Sequence, residues 1–87
     1  MKKQVLNQLE SLIKKFNAKN IELFGDEYVY EMQKPNQYKR GHYAVIIEYK
    51  KMVSSVDMRD IMKFVIDNNL LLRLGTYRCG QAYMDIQ

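Results

Sequence analysis

Apolar residues near the start of the chain recur at three- and four-residue steps: Val5, Leu6, Leu9, Leu12, Ile13 and Phe16. Lys2, Lys3, Gln4, Gln8, Glu10, Lys14 and Lys15 fill the other sides. At helical period this gathers the apolar side chains into one core-facing stripe. Asn17, Lys19 and Asn20 are expected to end that helix. The period then changes to two. Residues 21–24 (IELF) and 28–32 (YVYEM) alternate as one bulged strand or two short ones, with Gly25-Asp26 as the turn or bulge between them. Residues 33–41 (QKPNQYKRG) read as a polar loop carrying the sole proline. Residues 42–52 then form a longer strand. Within it Tyr43, Val45, Ile47 and Tyr49 share one face, and His42, Ala44, Ile46, Glu48 and Lys50 share the other. The first set is larger and more apolar, so it should turn to the helices. The second should lie on an open face.

A second helix is predicted from Ser54 to about Asn68. Ser54 followed by Asp57 resembles a capping box, with Asp in place of Glu or Gln. Val56 or Met58, with Ile61, Met62 and Val65, forms its inner face, while Asp57, Arg59, Asp60, Lys63 and Asp67 face out. Phe64 and Ile66 widen the apolar arc. Asn68-Asn69 tolerate the left-handed backbone that stops a helix. Residues 70–74 (LLLRL) and 81–86 (QAYMDI) are the last two strands, with a kink or turn over 75–80. The expected fold is therefore α+β: a two-layer sandwich in the order α-β-β-α-β-β, with a mainly antiparallel sheet and two helices on one face.

The 87 residues suffice for one small domain, spanning 1–87, and a hydrophobic share of 47% supplies a core. No apolar run approaches the roughly 20 residues that span a bilayer. The N-terminal lysines are not followed by a continuous apolar segment, which argues against a secretory signal. With Cys79 as the one cysteine, neither an internal disulfide nor a cysteine-based zinc site is available. These features fit a cytoplasmic protein without membrane contact. Lys, Asn, Ile and Tyr are plentiful while Ala, Gly, Arg and Pro are scarce, the balance of an AT-rich genome such as that of a low-GC bacterium or its phage. An origin of that kind suggests a modulator or inhibitor of a host macromolecule.

Candidate chemistry adds little to this picture. The strand opening at Lys39-Arg40-Gly41-His42 occupies the slot of the RNA-reading strand in RNA recognition motifs. Its rings do not match, because Tyr43 falls on the small position and Ala44 on the second stacking position. Residues 75–80 have phosphate-loop glycine spacing, but Gln81-Ala82 stand where Lys-Ser/Thr is required. No GxGxxG or GxxG occurs. His42 and Cys79 are the sole histidine and cysteine, and no third group is positioned to activate them. Asp57 with Asp60 is better explained by charge complementarity at a helix N-terminus.

The expectation is thus a non-enzymatic binding domain without cofactor or metal. Its partner-binding residues are Tyr38, Lys39, Arg40, His42, Ala44, Ile46 and Glu48. The seven tyrosines and a net charge of +4 support the alternative of nucleic-acid binding through the basic loop 33–42, with Lys34, Lys39, Arg40 and His42 on phosphates. Lys50 and Lys51 lie at the far end of the strand, too distant to join that patch. An exposed sheet edge would also allow two copies to pair.

Overall fold

The computed structural model describes residues 1–49 and 52–87. Lys50 and Lys51, at the end of the expected long strand, lie outside the described residues. The chain folds as an α+β sandwich. Helix α1 (Lys3–Phe24) is followed by a short 3-10 turn (Asp26–Tyr28) and strands β1 (Tyr30–Met32), β2 (Asn36–Lys39) and β3 (His42–Tyr49). Helix α2 (Ser55–Asp67) then leads to β4 (Leu72–Thr76) and β5 (Ala82–Ile86).

The sheet is antiparallel, in the order β1-β3-β5-β4. β1 and β2 both pair with β3, β1 opposite residues 47–49 and β2 opposite residues 42–44. They form one edge interrupted at Gln33-Lys34-Pro35, where the Gln33 N–H still donates to the Ile46 carbonyl at 2.8 Å. β2 and β3 are joined by a tight turn, Arg40-Gly41, whose glycine has φ +75°. Glycine adopts this left-handed backbone without the Cβ clash other residues meet.

The core lies between the sheet and both helices. It joins Leu6, Leu9, Ile13 and Phe16 of α1 and Ile61 and Val65 of α2 to Tyr30, Val45, Ile47, Met84 and Ile86 of the sheet. Val45 faces Ile86 across the β3–β5 pair, and Ile47 faces Met84. The period-two reading of β3 holds: Val45 and Ile47 are buried, and Tyr43 and Tyr49 pack against the core.

Three expectations need correction. First, residues 21–24 are the last turn of α1 and not a strand. The inner stripe Leu6, Leu9, Ile13, Phe16 continues to a buried Asn20, so the helix runs on to Gly25, whose N–H donates to the Ile21 carbonyl. Second, the loop 33–41 contains strand β2, whose four residues are all exposed and pair with β3 through their backbone without burying a side chain. Third, Asp57 faces inward with 0% exposure, while Val56, Met62 and Ile66 are exposed. Ser54 is the N-cap residue but makes no side-chain capping bond. The inner face of α2 is Asp57, Met58, Ile61, Phe64 and Val65.

The inward turn of Asp57 has a physical cause. Its carboxylate accepts hydrogen bonds from the Tyr30 hydroxyl at 2.8 Å, the Asn20 amide at 3.1 Å and the Lys19 ammonium at 3.0 Å. The Ser54 N–H donates to the Tyr30 hydroxyl at 3.3 Å. Asn17 takes both backbone groups of Tyr30, accepting from its N–H at 2.7 Å and donating to its carbonyl at 2.8 Å. One polar cluster therefore ties the C-terminal half of α1 to β1 and to the N-terminus of α2. Burial alone would push the Asp57 carboxyl up. Hydrogen bonds from Asn20, Lys19 and Tyr30, with the Lys19 charge, outweigh it and hold the carboxyl below the usual range.

Candidate binding surface

Because both helices pack on one face, the other face of the sheet carries no helix. Alternation along β3 places His42, Ala44, Ile46 and Glu48 there, as the pattern predicts. The register adds Tyr83 opposite Glu48, and Asp85 opposite Ile46, both from β5. It also adds Arg73 opposite Asp85, and Gly75 opposite Tyr83, from β4.

The chemistry of this face is aromatic and apolar, with its charges largely matched. Tyr77 and Tyr83 stack with ring centroids 4.7 Å apart and planes 30° from parallel. Tyr83 has room to lie flat because Gly75 has no side chain: a Cβ there would sit 2.6 Å from the Tyr83 hydroxyl oxygen. The Tyr77 hydroxyl is pushed above its ordinary value by burial and by the adjacent Glu48 carboxylate. Arg73 donates to Asp85 across the strand pair at 2.8 Å. Ala44 and Ile46, half-buried, lie between these groups and the β2–β3 hairpin.

The hairpin forms the mouth of the surface. Tyr38 is 54% exposed, and its ring lies 6.2 Å from that of His42. Lys39 and Arg40 are exposed at the turn, as is Lys34 between β1 and β2. The His42 imidazole is pushed below its ordinary value by burial, then by the charges of Lys39, the N-terminal ammonium and Lys2. The mouth is therefore more basic than the loop sequence indicates, because α1 delivers its first residues to the same place. Met1 bridges to β3, its ammonium donating to the Tyr43 carbonyl and its carbonyl accepting from the Tyr43 N–H, each at 2.6 Å. Lys3 lies over the Tyr43 ring at 5.3 Å.

Ala44, Ile46 and Glu48 follow one another along the open face, Lys39 and Arg40 are exposed at the turn, and Tyr38 and His42 line a cleft at the hairpin end with Met1, Lys2 and Val5. The fold keeps His42 and Cys79 apart. His42 opens β3, whereas Cys79 is exposed in the turn beyond the Tyr49 end, so roughly 23 Å of strand rise separates them. Among the described residues no group of three or more His, Cys, Asp or Glu is placed to hold a metal ion, and no helix is long and apolar enough to cross a membrane.

Arg73, Tyr77, Tyr83 and Asp85 join the surface without having been identified from the pattern. Period-two alternation in residues 82–86 sets Tyr83 and Asp85 opposite Ala82, Met84 and Ile86, and that signal would have found two of the four. Comparison of the chain with protein-family models, with curated proteins and with solved structures finds no match.

Proposed function

We propose that the chain is a non-enzymatic, cytoplasmic binding domain that holds a protein partner on its open sheet face and hairpin mouth. In this reading it modulates or inhibits a host macromolecule and is encoded by a phage or another mobile element. The observation that carries the proposal is the helix-free sheet face, where a stacked tyrosine pair, Ile46 and an Arg73–Asp85 pair lie together. Tyrosine, arginine and isolated apolar side chains ringed by polar groups are the composition of protein interfaces. The charged mouth then favours a partner with an acidic rim, which sets orientation and encounter rate more than affinity.

A second reading is nucleic-acid binding through residues 33–42. It is favoured by the convergence of Lys39, Lys2 and the N-terminal ammonium on His42. Salt separates the two. Phosphate-driven binding weakens steeply and log-linearly as salt rises, whereas a tyrosine-rich protein interface changes less. Titration of single- and double-stranded DNA and RNA at low salt is expected to show no binding that Lys39→Glu and Arg40→Glu abolish. Tight binding with a steep salt slope, lost in those variants, would move the function to nucleic acid.

A further inference from the structure

The two edges of the sheet are built differently. The β1–β2 edge is short and broken. It carries Pro35, which has no N–H, a register shift between Gln37 and Lys39, and the charges of Glu31, Lys34 and Lys39. These are the devices that stop a sheet edge from pairing with another chain. The β4 edge has none of them. Its sequence is Leu72-Arg73-Leu74-Gly75-Thr76, and its one charge is held on the open face by Asp85.

The hydrogen-bond phase of β4 shows which groups are free. Leu71 exchanges both backbone bonds with Gln87, and the Tyr77 N–H donates to Gln81. By alternation Arg73 and Gly75 point their backbone groups at β5, while Leu72, Leu74 and Thr76 present theirs outward. The side chains of these outward residues lie on the helix side, because they pair with Ile86, Met84 and Ala82. Leu74 is nonetheless 55% exposed.

Helix α2 continues the apolar surface. Its Asp60, Phe64 and Asp67 border a groove shared with Leu12, so that flank faces α1. Met62 falls on the opposite flank at 100° per residue and is 39% exposed, while Ile66, 70% exposed, points further out to solvent. Exposed apolar residues on helix and strand therefore border one unprotected strand edge.

We propose that this edge pairs with a second copy of the chain, β4 against β4 antiparallel about a two-fold axis through Leu74. In that register Leu74 meets Leu74 and Leu72 meets Thr76, each through outward backbone groups that exchange both bonds. Arg73 falls opposite Gly75, so no like charges face each other. Centring on Arg73 would set the two guanidinium groups directly opposite, which is destabilising. Centring on Gly75 would set Leu74 against Thr76 and carry Leu72 past the strand end. The Leu74 register is self-complementary in hydrogen bonds, charge and apolar contact at once, as a two-fold interface requires. Met62 of both copies lies on the flank of α2 toward the seam. The open faces stay free, so the dimer presents the proposed binding surface twice.

Sedimentation equilibrium over a concentration range of about 1 μM to 1 mM reads the association directly. The wild-type chain is expected to form a dimer, and Leu74→Lys, which places two ammonium groups at the axis, to weaken it at least about tenfold. Far-UV circular dichroism confirms that the variant is folded. As a positive test, Leu74→Cys combined with Cys79→Ser is expected to cross-link to a dimer with a short bis-maleimide, while Tyr38→Cys in the same background is not. A wild-type chain that stays monomeric throughout the range, or a dimer unchanged by Leu74→Lys, overturns the proposal.

Discussion

Replacing Asp57 with alanine is expected to destabilise the fold by about 2–4 kcal/mol, the cost of leaving buried hydrogen-bonding groups without a partner while the part-exposed Lys19 ammonium returns to water. The carboxylate is fully buried and accepts from Tyr30, Asn20 and Lys19. Its loss leaves the Tyr30 hydroxyl in the interior without its acceptor and the Asn20 amide with the Tyr28 carbonyl alone, and a donor left unpaired there carries a desolvation penalty. The damage spreads because the cluster joins α1, β1 and α2. Tyr30→Phe removes one donor and keeps the ring against Phe16, so its cost should be smaller, about 1–2 kcal/mol. Urea unfolding of the two single variants and the double variant should reveal coupling, with the double costing less than the sum.

The same cluster makes stability depend on acid. Asp57 ionises in the fold at a lower pH than its ordinary value of 3.8. Its stabilisation is fully present above 3.8 and drains away as pH falls through the folded value. Asp57→Asn should flatten that loss while lowering stability at neutral pH. An Asp57→Ala variant as stable as wild type would mean that the cluster does not hold the elements together.

A second large effect is expected at Ile47, a completely buried residue in the central strand. It faces Met32 across one strand pair and Met84 across the other. Ile47→Ala should cost about 2–5 kcal/mol through lost transfer energy and the cavity left behind. Its neighbour Ile46, half-buried on the open face, should cost only about 1 kcal/mol when cut to alanine. Chemical denaturation of the pair tests face assignment at adjacent positions. Equal losses would contradict the alternation on which both core and binding surface rest.

Much of the architecture was legible because the two faces of each element differ in composition. Tyr43, Val45, Ile47 and Tyr49 outweigh His42, Ala44, Ile46 and Glu48 in apolar bulk, so the orientation of β3 followed from parity. Residues 21–24 were harder. Ile-Glu-Leu-Phe alternates like a strand, and four residues fit either period. The deciding residue is Asn20, which extends the helical stripe although it is polar. Asp57 carries the same lesson. A carboxylate three residues after a serine fits a cap equally well, and its burial depends on Asn20, Lys19 and Tyr30, distant in sequence. β2 was not legible at all. Asn36, Gln37, Tyr38 and Lys39 have no buried face, and their strand exists because β3 supplies backbone partners. On the surface, the hairpin half was visible from its charges. The Tyr77–Tyr83 half depends on β4 and β5 aligning Gly75 with Tyr83.

Protein binding by the open sheet face is proposed and can be measured directly. The most direct measurement is capture from nuclease-treated lysate of the native host on immobilised wild-type chain, beside chain carrying Ile46→Arg. Ile46→Arg alters the middle of the face without touching the core or the charged turn. A specific protein is expected to be retained by the wild type and lost with Ile46→Arg. Capture that vanishes on nuclease treatment, or persists undiminished with Ile46→Arg, would contradict it.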